Sequence, residues 1–269
     1  MKKYVLAQPG GFSNSLEENL TSIKRAGYDG VFFTLAYPGV SDALIEYTRN
    51  IGLEIETIHL PYADNLINNL WCEDKAYQRS LDVLKESIDI AYRNHVDTVI
   101  LHTANGYHPP EVNEFGLNNY KELARYCRDR NIILAIENNK SFIHLQYLFE
   151  GLKDFDNVKL CFDIGHANAF TKNLDPKVWD ELLNKLHCVH IHDNDGKRDS
   201  HLIPLLGSID FQFWIPFLLN KKRDLNFTLE IYYMDRIEFY GDITPDDFYL
   251  KSMTNIAKIL ESIGLYNED

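Results

Sequence analysis

Cysteine is scarce and scattered: the four in 269 residues, Cys72, Cys127, Cys161 and Cys188, include no Cys-x-x-Cys pair. That excludes a disulfide framework, and Cys161 and Cys188 stand inside apolar runs where a free buried thiol is the ordinary state. Positive charge is also short. Lys and Arg number 27 against 40 Asp and Glu, a net charge of −13, whereas surfaces built for nucleic acid carry a basic footprint. No nucleic-acid partner is expected. No stretch approaches the roughly 20 apolar residues of a membrane span. The opening run Met1-Lys2-Lys3-Tyr4-Val5-Leu6-Ala7 is cut by Gln8-Pro9-Gly10-Gly11, too early for a secretion signal. A reduced, soluble, cytoplasmic protein without a membrane partner is expected. No Gly-x-Gly-x-x-Gly follows the first apolar run, so the dinucleotide fingerprint is missing and no organic cofactor is expected.

What is present is enough apolar residue, 45%, to bury a full core, arranged in a repeating alternation. Eight short runs rich in Val, Ile, Leu or Phe read as buried parallel strands: Lys3–Gln8, Gly30–Leu35, Leu53–Leu60, Thr98–Thr103, Ile132–Asn138, Val158–Ile164, Cys188–Asp193 and Phe227–Tyr232. Helical patterns lie between them. Ser15–Ala26 opens with a capping box, Ser15 and Glu18, and Gly27 ends it. Ser80–Asn94, Leu117–Arg130 and Ser252–Ile263 have helical spacing, and Asp175-Pro176 opens a helix running to about Leu186. The alternation predicts one (β/α)8 barrel domain spanning residues 1–269, with its site at the C-terminal ends of the strands.

Six of the eight runs end in a side chain able to bind metal: His59, His102, Glu137, Asp163, His190 and Glu230. In a barrel these positions converge at one mouth. Alternation puts Glu137 on the face of Ala135, and Asp163 on that of Cys161, with Leu134, Ile136, Leu160 and Phe162 facing the other way. Further candidates follow on the loops: His166, His192 with Asp193, and the pair Asp199 and His201. One strand-end His or Glu is more often a hydrogen-bonded structural group, but cores avoid unpaired charge, and six at equivalent positions point to a site. Imidazoles with carboxylates suit Zn²⁺ or Mn²⁺; the carboxylates alone also suit Mg²⁺. His192 is the weakest candidate, since it can simply donate to a loop carbonyl. His95, His108, His144 and His187 read as structural.

These residues resemble the xylose-isomerase-like barrel superfamily of sugar isomerases and epimerases, inosose-processing enzymes and endonuclease IV. The motifs carrying the resemblance are His59-Leu60-Pro61-Tyr62, Ile136-Glu137-Asn138, Phe162-Asp163-Ile164-Gly165-His166 and Val189-His190-Ile191-His192-Asp193-Asn194. Asp199-Ser200-His201, Leu205-Leu206-Gly207-Ser208-Ile209-Asp210 and Leu229-Glu230 complete the set. The isomerase branch implies one metal on Glu137, Asp163, His190 and Glu230, with Glu137 and Glu230 also acting as catalytic acid and base and His166 contacting substrate. The epimerases place an arginine shortly after the His190 position, where this chain reads Asp195-Gly196-Lys197-Arg198.

The endonuclease IV branch implies three zinc ions on His59, His102, Glu137, Asp163, His166, His190, Asp199, His201 and Glu230. Against it stand the acidic composition and Asn138-Asn139-Lys140, where a Thr-Ala-Gly run would follow the glutamate. The expectation is a divalent-metal-dependent isomerase or epimerase of a sugar, sugar phosphate or related polyol, working through an enediolate on a small carbohydrate. An endonuclease IV-like phosphodiesterase and a keto-inositol dehydratase are the alternatives.

Overall fold

The computed structural model describes residues 5–63, 65–171, 174, 176–233 and 237–265. Eight parallel strands close into a barrel in chain order: β1 (Val5–Ala7), β2 (Gly30–Thr34), β3 (Glu54–His59), β4 (Thr98–His102), β5 (Ile133–Glu137), β6 (Val158–Asp163), β7 (Leu186–Ile191) and β8 (Phe227–Leu229). β8 pairs back onto β1. The (β/α)8 architecture is therefore observed. Lys3 and Tyr4, expected in the first strand, lie outside the described residues.

Helices pack around the barrel: α1 (Leu16–Arg25), α2 (Asp42–Asn50), α3 (Ala76–Arg93), α4 (Glu114–Arg128), α5 (Phe142–Gly151), α6 (Ile164–Phe170), α7 (Phe211–Lys221) and α8 (Pro245–Ser262). The capping box opens α1: Glu18 N donates to Ser15 Oγ at 3.2 Å and Ser15 N to Glu18 Oε2 at 3.1 Å. α8 begins earlier than the apolar spacing suggested, because Thr244 caps it and Pro245 occupies its first turn.

The helix expected over Asp175–Leu186 is not one helix. Asp175 lies outside the described residues, and the rest forms two 3₁₀ turns, Pro176–Trp179 and Leu182–Lys185. Their bonds run i to i+3, Asp180 N to Lys177 O and Asn184 N to Glu181 O. This tighter winding lays Trp179 edge-on against Phe142 and Phe162 and brings the chain into β7 two residues before Cys188.

The strands separate two apolar regions. Their outward residues and the helices share one large core. Inside the barrel, Ile100, Ala135, Cys161 and Cys188 form a small separate cluster. Each lies two residues before an ionisable strand end: His102, Glu137, Asp163 and His190. Strand alternation thus stacks a polar layer directly on an apolar one. Among the described residues no helix is long and apolar enough to cross a membrane.

Candidate metal centre

Sheet register sets the polar layer. His102 is the β-partner of Glu137, and Asp163 of His190. Glu230 follows β8, with its backbone N donating to Ile191 O at 3.0 Å. One ligand atom from each of Glu137, Asp163, His190 and Glu230 falls within a common 4.8 Å, and all four residues are buried. Glu137 Oε1 is 2.6 Å from His190 Nδ1, and Glu230 Oε2 is 2.9 Å from the same nitrogen. Asp163 is held by two roles at once: it ends β6 and caps α6, accepting from His166 N at 2.6 Å.

Two further groups adjoin this one. Glu137 Oε2 faces His102 Nε2 at 2.9 Å and His59 Nε2 at 3.3 Å. His166, His192, Asp199 and His201 make the other group, in which Asp199 lies 3.1 Å from His166 Nε2 and 3.2 Å from His201 Nε2. His201 takes φ +45, a left-handed backbone rarely adopted by a residue with a side chain. The paired backbone bonds between Asp193 and Leu202, 2.7 and 2.9 Å, hold it there.

The structure brings together every expected site residue: His59, His102, Glu137, Asp163, His166, His190, Asp199, His201 and Glu230. It adds His192. That ring does lie 3.4 Å from a loop carbonyl, Asp193 O, through Nδ1, yet its Nε2 faces Asp163 at 3.3 Å and Asp199 at 3.4 Å. Asp193 turns away, accepting from Asn194 N, Gly207 N and Ile209 N to organise the loop. Arg198 is exposed and pairs with Asp195 at 3.2 Å. His144 bridges Ser141 and the Pro110 carbonyl, and His187 meets Thr98, both structural contacts.

Proton positions test whether a cation fits. His59 Nδ1 lies 2.8 Å from Leu60 O, His166 Nδ1 2.9 Å from Asn138 O and His201 Nδ1 2.8 Å from Glu230 O. A carbonyl only accepts, so Nδ1 carries the proton in each ring. Nε2 of the neutral ring then offers a lone pair to a carboxylate. Two lone pairs face each other unless a proton or a metal ion lies between them, and this second-neighbour bond to Nδ1 is the usual support of a metal-binding imidazole. Buried Asp163 Oδ2, His190 Nε2 and His192 Nε2 also make no hydrogen bond among the described residues. The donor set fits a divalent ion.

Without a cation, protons take that place. Burial alone would push the His190 imidazole down, but the carboxylates of Glu230 and Glu137 outweigh it and raise it well above its ordinary value. Burial likewise opposes, and Asp163 and Asp199 overcome, in raising His166. His201 is raised to about 9 against burial, chiefly by Asp199. The carboxyls move the other way. Burial would raise Glu137 and Asp199, but the facing imidazoles hold both well below the usual range. Glu230 is lowered to about 2 against burial, by His190 above all.

Loop tyrosines lie against this layer, among them Tyr62 of the motif His59-Leu60-Pro61-Tyr62. The Tyr62 ring stacks on His102 with centroids 4.6 Å apart, and Tyr37 stacks on Tyr232 at 5.9 Å. Burial first, then Tyr37, Glu230 and Glu137, push the Tyr62 phenol far above its ordinary value.

Residues 20–259 match a family model described as xylose isomerase-like TIM barrel. The uncharacterized protein y4fM of Sinorhizobium fredii is 25% identical, covering 96% of this chain and 90% of its own length. Fructoselysine 3-epimerase of Shigella flexneri is 25% identical, covering 71% of each chain. A probable endonuclease 4 of Lachnoclostridium phytofermentans is 24% identical over 57% of this chain and 55% of its own. Among solved structures, a D-tagatose 3-epimerase-like protein superposes with a TM-score of 0.73 at 21% identity, covering 97% of this chain and 98% of that one.

Proposed function

The chain belongs to the xylose isomerase-like TIM barrel family, and on that premise we propose that it is a divalent-metal-dependent isomerase or epimerase of a keto sugar or related polyol. The observation that carries this reading is the pair Glu137 and Glu230, brought from two separate strands to 2.6 and 2.9 Å from one His190 nitrogen, with Asp163 beside them. The fructoselysine 3-epimerase relative supports it.

A hydrogen on the carbon next to a carbonyl is too weakly acidic to be removed at pH 7 without help. A divalent ion held by Glu137, Asp163, His190 and Glu230 would supply Lewis acidity toward the substrate's oxygens. One glutamate then takes the proton from that carbon. The C–H electron pair enters the C–C bond, and the carbonyl oxygen gains the charge of an enediolate. The second glutamate returns a proton, on the opposite face for epimerisation or at the neighbouring carbon for isomerisation. His102 and His59 restrain Glu137 through Oε2, and Phe32, stacked on His190 at 4.7 Å, with the apolar layer beneath keeps water out, which strengthens each charge interaction.

A second reading rests on a different observation. Glu137 belongs both to the group with Asp163, His190 and Glu230 and to the group with His59 and His102, an arrangement suited to a metal cluster and phosphodiester cleavage; the endonuclease 4 relative supports it. The net charge of −13 opposes duplex DNA as substrate, since phosphate contacts dominate such affinity. Metal analysis tests the two. After chelation, one Zn²⁺ or Mn²⁺ per chain should restore turnover on the isomerase reading, whereas a need for three ions together with incision of an abasic duplex would replace it.

A further inference from the structure

Beside the proposed centre lies a cavity of about 290 Å³, the lower end of the range for small-molecule sites. Its walls continue the elements that hold the ligand layer. Gln8 follows β1 and donates from its backbone N to Leu229 O at 3.1 Å. Thr34 ends β2, two residues beyond the Phe32 ring on His190. Tyr232 stands two residues after Glu230, with its N donating to His201 O.

The floor is Asn19 of α1. It is 1% exposed, it lines the cavity, and neither Oδ1 nor Nδ2 has a hydrogen-bond partner among the described residues. Folded proteins rarely leave a buried amide unmade on both atoms unless something else meets it. The neighbouring face of α1 is apolar, with Leu20 and Ile23 fully buried, so the helix needs no amide there for its own packing.

The chemistry of the walls narrows the ligand. Among the described residues none that lines the cavity is charged; Gln8, Asn19 and Thr34 supply the buried polar groups, and Phe12, Tyr37 and Tyr232 the rings. The nearby helix end does not invite an anion either. Ser15 and Glu18 already satisfy each other, Asn19 N donates to Ser15 O, and the first turn carries Glu17 and Glu18. An amide offers donors and an acceptor together, which matches a hydroxyl, itself both; a phosphate dianion only accepts, so it would leave the Asn19 oxygen unmet and would find no cation in the lining to balance its charge.

We propose that this cavity is the subsite for the end of the substrate remote from the reacting carbon, and that Asn19 selects a neutral, hydroxylated end over a phosphorylated one. The inference rests on the isomerase reading and narrows it to unphosphorylated keto sugars.

The test uses the metal-loaded full chain with D-tagatose, D-allulose and D-fructose, and with the 6-phosphates of tagatose and fructose. Solvent-deuterium exchange reads turnover, and calorimetry reads binding. The parent should favour free ketose over phosphate ester by about tenfold or more in kcat/KM, the scale on which a hydrogen-bonding site discriminates. Asn19→Leu keeps the shape and removes the amide. The loss should fall on KM and Kd, about fivefold or more, rather than on kcat, and Tm should stay level or rise because an unpaired buried group is gone. Asn19→Gln, which retains the amide, should recover part of the affinity. Equal or better use of the phosphate esters overturns the inference, as does an Asn19→Leu variant with a lower Tm and unchanged KM, which would make Asn19 a structural residue. Absence of exchange with all five sugars is a different result: it removes the isomerase reading and the subsite with it.

Discussion

Glu137 Oε1 lies 2.6 Å from His190 Nδ1, across two strands of the barrel that are not neighbours. The other Glu137 oxygen faces His102 and His59. One buried carboxylate therefore aims at the inner group while being braced from behind, and substitution should be felt most at this residue. Glu137→Gln keeps the shape but loses the base and the charge. Turnover should drop by at least the roughly 10² expected of a general base, and Zn²⁺ affinity, measured by chelator competition, should fall with it.

The remaining residues should rank by group. Glu230→Gln should cost about as much turnover as Glu137→Gln, whereas His59→Ala and His201→Ala should cost much less, since they lie outside the four residues proposed to hold the single ion. Steady-state rates of the four variants on one active ketose check this. Equal collapse in all four would favour the metal-cluster reading.

Gly165, in the first turn of α6, packs directly against the His192 ring. A Cβ there would stand 2.0 Å from His192 Cε1, and that ring is fully buried. Gly165→Ala must displace His192 from Asp163. An overpacking cost of about 1–3 kcal/mol, at roughly 2–4 °C per kcal/mol, sets the expected fall in Tm. A thermal scan of the metal-free protein measures it, and an unchanged Tm would show that the ring is loosely held.

Much of this was legible in the chain, for a physical reason. Parallel strands covered on both sides are short apolar runs, so His102, Glu137, Asp163 and His190 at their ends stand out. Alternation assigned the inward faces of β5 and β6 correctly because their mutual register is unbroken. It could not do so for β3 and β7. Register shifts occur where Val31 and Phe33 of β2 pair with Ile55 and Ile58, and where Leu160 and Cys161 of β6 pair with Leu186 and Cys188. One extra residue in each strand breaks the period of two, and no residue type announces it. Asn19 had a signal that went unused: a polar side chain on the buried face of an amphipathic helix, between Leu16 and Ile23. Its meaning depends on the cavity, which only the closed barrel creates.

On β3, Glu56 accepts from Thr228 Oγ1 at 2.5 Å and from Asn226 Nδ2 at 2.8 Å, and Thr228 is in turn the strand partner of His190. Burial pushes its carboxyl above the ordinary 4.5, against those two hydrogen bonds and the His190 charge, and Asp97 adds to the rise. The folded state thus holds this proton more tightly than the unfolded chain. The resulting stability is complete below pH 4.5 and is lost as pH rises through the raised value. Glu56→Gln should melt above the parent near pH 7, with the gap closing as pH falls toward about 4. Paired thermal scans in chelator measure this; a gap independent of pH would contradict it.

In the proposed mechanism two glutamates move a proton at carbon, and solvent exchange reads that step directly. With the metal-loaded enzyme in D₂O and D-tagatose, D-allulose or D-fructose, proton NMR should show deuterium entering the carbon next to the carbonyl, in product and in recovered substrate. The signal should be absent with Glu137→Gln. No deuterium in any ketose, from a protein that holds its metal and cleaves a phosphodiester, would contradict the account.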